Sequence, residues 1–140
     1  MLMPFFVTPL YAALCAILLV MLSLRVVRYR RRHLVSLGDG GHADLQQAIR
    51  AQANLTEYAP MGLLLLLLLE VSHQAPVWAL HLLGAMLFAG RAIHAWGVLA
   101  SVPGRRPSPA RGIGIAFTWS MLLVTAVWLL IIAVGRLGQV

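Results

Sequence analysis

The sequence predicts an all-α membrane protein, a bundle of four transmembrane helices, and three observations carry this. Apolar residues (Ala, Val, Ile, Leu, Met, Phe, Trp, Tyr and Cys) make up 61% of the 140 residues and charged ones 11%. Soluble domains run at about 45–50% and about 25%. Four stretches each supply the ~20 mainly apolar residues that cross a hydrocarbon core about 30 Å thick. These stretches are continuous rather than alternating, which excludes a membrane β-barrel. The length suits one domain over residues 1–140, with helices at about 8–32, 43–72, 76–101 and 108–137.

The first span carries no charge from Met1 to Leu24. Thr8-Pro9 offers a cap followed by a first-turn proline. A cleaved signal peptide is the competing reading of this start, but it lacks a basic leading region and a small-x-small cleavage site. Leu14, just before Cys15, argues against lipoprotein processing. The second span contains seven consecutive leucines, Leu63 to Leu69. The third starts near Pro76. The fourth opens at Ser108-Pro109 and has no charged side chain from Gly112 to Gly135.

The connections differ in charge. Span one runs out into Arg25, Arg28, Arg30, Arg31 and Arg32, then into the turn-like Gly38-Asp39-Gly40-Gly41. Spans two and three meet at Ser72-His73-Gln74-Ala75, and spans three and four at Val102-Pro103-Gly104-Arg105-Arg106-Pro107. With four spans, the first and third connections share a side. The positive-inside rule puts that side in the cytoplasm and both termini opposite, in a multi-pass membrane protein.

The formal charge is +7, and all eleven cations are arginine. Nucleic acid is not the expected partner, because so apolar a surface needs the lipid bilayer first. One cysteine, Cys15, excludes an internal disulfide and any multi-cysteine metal site. A haem needs two histidines at one depth on facing helices. His81 and His94 share one span, so neither haem nor a metal is expected.

The function argument starts at polar residues inside the second span. Arg50, Asn54 and Glu57 are spaced i, i+4, i+7 and form one helical stripe. Glu57 lies about 20 Å along the axis from Asp44 at 1.5 Å per residue. An unpaired carboxylate at that depth costs several kcal/mol, so it should face protein, water or ligand. Pro60 cannot donate to the Thr56 carbonyl, which predicts a kink beside Glu57. Arg91 and His94 share a face of the third span, and Arg111 opens the fourth. With Arg28, these predict a cation-rich cavity mouth holding one carboxylate and one amide. Such a lining suits a small anion bearing several carboxylates and one ammonium group. The bland alternatives are a helix-pairing salt bridge for Glu57 and interfacial snorkelling for Arg28 and Arg111. Glu70, about 39 Å from Asp44 by helical rise, is expected to be solvated at the far interface. Gly84, Gly90, Gly97, Gly112 and Gly114 are expected to permit close helix contact. The four tryptophans read as anchors or packing.

The segment Arg50-Ala51-Gln52-Ala53-Asn54-Leu55-Thr56-Glu57-Tyr58-Ala59-Pro60 resembles the second-helix signature of the MAPEG family, the membrane-associated proteins in eicosanoid and glutathione metabolism. Gly90-Arg91-Ala92-Ile93-His94 resembles the family's third-helix segment, and Arg111 falls where its fourth helix carries a catalytic arginine. Val35-Ser36-Leu37-Gly38-Asp39-Gly40-Gly41 is similar to bacterial members.

The resemblance implies a homotrimer with glutathione, the co-substrate, bound between neighbouring protomers. Arg50, Asn54 and Glu57 would hold it, Glu57 meeting the α-ammonium. Gln52, Tyr58, Arg91 and His94 would line the site, Arg28 or Arg31 would close over it, and Arg111 would stabilise the thiolate. The implied activity is that of a transferase or peroxidase, acting on an apolar electrophile or lipid hydroperoxide. Glutathione's thiol has an unperturbed pKa near 8.5, and a guanidinium beside sulfur favours the thiolate. The chain departs from the prostaglandin synthase pattern at Ala53, Val98, Gly112 and Ile115, where that enzyme carries an arginine and hydroxyl-bearing residues. Two alternatives follow: a non-catalytic glutathione- or anion-binding membrane protein, and a small proton-coupled transporter built on Glu57 and Pro60.

Overall fold

A computed structural model describes residues 6–102 and 104–138. Residues 1–5 of the uncharged opening run, and Pro103 in the third connection, lie outside it. Four helices follow in order, α1 (Val7–His33), α2 (Ala43–Val71), α3 (Val77–Leu99) and α4 (Pro109–Leu137). Each begins and ends within two residues of the expected bounds. Each is long and apolar enough to cross a membrane, and no strand occurs among the described residues. The protein is a four-helix membrane bundle.

The helices pack as a rhombus. α2 and α3 touch along its short diagonal, α1 lies against both on one flank, and α4 lies against both on the other. α1 and α4 do not touch. Three apolar layers fill the interior. Val7, Tyr11, Leu66, Leu69, Leu80, Leu83, Leu87 and Met121 pack at the end opposite the arginines. Cys15, Leu22, Ala51, Leu55, Ala59, Ala95 and Val98 occupy the middle, and Val26, Leu45 and Ala48 the basic end. The leucine run divides by face. Leu66 and Leu69 are fully buried, while Leu64, Leu67 and Leu68 point outward, as lipid-facing side chains do.

The α3–α4 contact is the tightest. A Cβ on Gly114 would sit 2.6 Å from the Gly90 carbonyl oxygen and 2.6 Å from the His94 nitrogen. One on Gly97 would sit 2.7 Å from the Arg111 nitrogen. Glycine is required because the backbones themselves touch. Gly84 is likewise covered by the Tyr11 ring, whereas Gly112 meets nothing within 4 Å and faces open space, contrary to the expected helix contact.

Two expectations at the far end are overturned together. Thr8 does not cap α1, and Glu70 is not solvated. The Glu70 carboxylate, 7% exposed, accepts the backbone N–H groups of Phe6 (3.1 Å), Val7 (2.9 Å) and Thr8 (2.8 Å). The first N–H groups of a helix lack internal partners and carry the positive end of its dipole, so a carboxylate satisfies both needs. Depth along α2 alone could not reveal that α1 starts beside Glu70. Tyr11 reinforces this end by donating to the His81 carbonyl at 2.9 Å.

At the basic end, Leu34 terminates α1 in the left-handed conformation. The expected turn forms at Gly38, Gly40 and Gly41, all with positive φ. Asp39 accepts the Gly41 N–H, and Arg30 donates to the carbonyls of Ser36 and Gly38. His33 joins Asp44 of α2 at 2.9 Å, with the His42 ring stacked on it at 3.9 Å.

Candidate functional site

The Arg50, Asn54 and Glu57 stripe forms as its spacing predicts. Arg50 Nη1 lies 3.6 Å from Glu57 Oε1, and Asn54 Nδ2 lies 3.5 Å from Glu57 Oε2. Pro60 sits inside an α2 that runs on unbroken to Val71. Glu57 is therefore the middle residue of α2, yet its side chain is 48% exposed and that of Arg50 is 60% exposed.

Arg91 is not at a cavity mouth. It is 2% exposed, at the junction of α2, α3 and α4. Its Nε donates to Thr118 Oγ1 at 2.8 Å, its Nη2 to the Gly114 carbonyl at 3.2 Å, and its Nη1 to Asn54 Oδ1. The guanidinium lies over the Tyr58 ring, 5.0 Å from its centre. Arginine carries five donors and no acceptor, so a buried copy needs several acceptors at once. The fork finds them on two helices. Because Arg91 can only donate, Asn54 turns its carbonyl oxygen inward and its amide nitrogen towards Glu57. A chain of contacts thus runs from Thr118 through Arg91 and Asn54 to Glu57.

His94 is also buried, at 5% exposure. A carbonyl oxygen only accepts, so the 3.2 Å contact assigns the proton to His94 Nδ1, which donates to the Arg111 carbonyl. That bond and the Gly97 contact hold the first turn of α4 against α3. The Arg111 side chain then lines a groove of about 280 Å³ together with Gln46, Gln47, Arg50, Val98, Ser101, Val102 and Arg105. Three guanidinium groups converge there. Gln47 donates to the Ser101 carbonyl across the groove floor, tying α2 to the end of α3. Among the described residues, no group of three or more metal-ligating side chains comes together.

Comparison with known proteins matches this arrangement to a family. The MAPEG family pattern matches residues 8–131, which reach from α1 into α4. The chain belongs to the MAPEG family. Similar relatives are the inner membrane protein YecN of Escherichia coli strain K12 and its counterpart in Escherichia coli O6:H1 strain CFT073. Each is 40% identical over 118 residues, covering 84% of this chain and 86% of the relative.

Within this MAPEG bundle the residues expected at the site fall into two groups. Arg50, Asn54, Glu57, Tyr58, Arg91, His94 and Arg111 gather on the α2–α3–α4 side. Gln52 turns the other way and donates to Ser23 Oγ of α1 at 2.9 Å. Arg28 and Arg31 are exposed on α1, which does not touch α4. Thr118 was not anticipated, nor was the Gly114 carbonyl as an acceptor, although Gly114 was expected to allow close helix contact. The signal available was their four-residue spacing on α4, which puts a hydroxyl and a bare carbonyl on one face. Ser101 and Arg105 were missed as well, because only the fold brings the third connection back over α2.

Proposed function

We propose that this MAPEG protein is a glutathione-dependent membrane transferase or peroxidase, working as a homotrimer in a bacterial inner membrane with its basic loops in the cytoplasm. The observation that carries the reading is the uncovered Glu57, paired with Arg50, at the middle of a membrane helix. Charged groups at that depth are costly unless protein, water or ligand covers them. Glutathione supplies the matching charges. Its carboxylates suit Arg50 and the arginines of the groove, and its α-ammonium suits Glu57 with Asn54 alongside. The Escherichia coli relatives are named as inner membrane proteins, and the concentration of arginine in two connections agrees with the positive-inside rule.

The two-sided distribution of candidate residues supports closure between protomers. Gln52 and the α1 arginines lie on the flank away from the Arg111 groove. A single ligand meets both groups when the α1 flank of one copy adjoins the α4 flank of the next, Arg28 or Arg31 closing over it. Trimerisation would then also cover Arg50 and Glu57.

In the reaction, Arg111 stabilises the glutathione thiolate, whose sulfur attacks an electrophilic carbon reached from the lipid side. The S–C bond forms as the electrophile's leaving bond breaks. With a hydroperoxide, the first thiolate attacks the distal oxygen and releases the alcohol. The product is glutathione sulfenic acid; the thiol of a second glutathione attacks its sulfur, the S–S bond forming as the S–OH bond breaks, which gives the disulfide and water. A stabilised thiolate serves both routes.

A second reading is binding without turnover. Val98 lines the groove beside Arg111, and the Ser101 hydroxyl is engaged by the Gly97 carbonyl at 2.7 Å. The thiol therefore has few hydroxyl neighbours. Thermal unfolding of detergent-purified protein, titrated with glutathione and its S-alkyl derivative, tests for the pocket, since a ligand that binds only the folded state raises the midpoint. No rise with either ligand would remove both readings. A rise without turnover against apolar electrophiles or hydroperoxides would leave the second.

A further inference from the structure

The groove beside Arg111 draws its arginines from separate parts of the chain. Arg50 comes from α2, Arg111 from the first turn of α4, and Arg105 from the connection between α3 and α4. No carboxylate lines the groove, and among the described residues neither Arg105 nor Arg111 forms an ion pair. Two features hold Arg105 there. Gly104 takes a φ of +76°, a conformation that favours glycine, and the Arg105 N–H donates to the Val102 carbonyl at 3.1 Å, closing a turn. The bond from Gln47 to the Ser101 carbonyl ties the start of that connection to α2. The turn thus carries Arg105 back over α2 at the basic end of the bundle, while Glu57 lies seven residues, about 10 Å, further along α2 from Arg50.

We propose that Arg105 is a specificity-determining residue, which reads the glycyl carboxylate of glutathione and so selects a tripeptide thiol. This assignment rests on glutathione being the ligand. Glutathione brings two carboxylates, a thiolate and one ammonium. The ammonium and one carboxylate share a carbon at the γ-glutamyl end, so they meet neighbouring groups, Glu57 and Arg50, which lie 3.6 Å apart. The thiolate, in the middle of the tripeptide, takes Arg111. The glycyl carboxylate, at the opposite end, falls to Arg105, the remaining guanidinium of the groove. A guanidinium fork pairs bidentately with a carboxylate, whereas a neutral amide offers it one oxygen and no charge. γ-Glutamylcysteine ends one residue short of Arg105.

The test is titration calorimetry of the detergent-purified full chain with glutathione and with its glycyl amide, which keeps the size and loses the terminal charge. Wild type is expected to bind glutathione about tenfold more tightly than the amide. Arg105→Gln brings glutathione down to the affinity of the amide and leaves the amide where it was. Arg106→Gln, which removes a neighbouring charge outside the groove lining, keeps the preference. Equal binding of the two ligands by wild type overturns the assignment and leaves the glutathione site standing. A preference that survives Arg105→Gln also overturns it, and passes the glycyl carboxylate to Arg28 or Arg31 of the neighbouring protomer. An equal loss of preference in Arg106→Gln overturns it as well, because Arg105 then acts only through the general charge of the connection. Binding of neither ligand by wild type removes the glutathione reading and this assignment with it.

Discussion

Arg91 donates through Nη1 to the side-chain carbonyl of Asn54, and this bond sets which end of the Asn54 amide faces Glu57. The buried guanidinium never reaches the exposed face, yet it orients the groups that do. Arg91 is thus a positioning residue for the stripe on α2. Arg91→Lys keeps the charge and loses the planar fork. It is expected to lower stability by about 1–3 kcal/mol in thermal unfolding, because Thr118, Gly114 and Asn54 cannot all be served by one ammonium. It should also weaken glutathione binding. Adding Asn54→Ala to that variant should cost little more, since both changes break one connection. Fully additive losses would show that Arg91 does not act through Asn54.

Glu70 holds the start of α1. Glu70→Ala leaves three N–H groups without their acceptor and is expected to cost about 1–3 kcal/mol, read as a lowered midpoint in detergent. Glu70→Gln keeps one acceptor oxygen and should fall between. Glutathione affinity of the folded fraction should be unchanged in both, because the site lies at the other end of the bundle.

The glycine contacts predict a contrast between two neighbours on α4. Gly114→Ala drives a methyl group into the Gly90 carbonyl and the His94 nitrogen, and overpacking of this kind costs about 1–3 kcal/mol. It also shifts the first turn of α4, so Arg111 leaves the groove and ligand stabilisation falls. Gly112→Ala meets open space and should gain up to about 1 kcal/mol from helix propensity. Equal midpoints for the two variants would contradict the α3–α4 packing.

Arg111→Ala tests the chemistry. The variant should still be stabilised by S-alkyl glutathione, because Arg50, Asn54 and Glu57 remain. Thiolate absorbance on adding glutathione should disappear near neutral pH. A guanidinium that lowers a thiol pKa by two units contributes about 2.7 kcal/mol, or about 100-fold in the ionisation equilibrium. Undiminished thiolate absorbance would remove Arg111 from its role.

Glu57→Gln tests which ligand group the carboxylate meets. Losing a charge-assisted hydrogen bond costs about 1.5–3 kcal/mol, so glutathione should bind about 10- to 100-fold more weakly. A glutathione analogue lacking the α-amino group should bind wild type and variant alike. A matching loss for that analogue would show that Glu57 does not meet the ammonium.

Much of this protein was determined by residue order alone. Continuous apolar runs gave the four spans, because hydrocarbon thickness sets helix length. Helical spacing gave the Arg50, Asn54 and Glu57 stripe, because residues i, i+4 and i+7 share a face whatever surrounds it. The tertiary structure decided the partners. Periodicity describes one helix at a time, so it could not tell that Glu70 meets the start of α1, or that Arg91 is enclosed by α2 and α4. Nor could it tell that Gln52 turns towards Ser23. Those outcomes depend on where separate helices come together, which glycine contacts and buried hydrogen bonds decide only once the chain is packed.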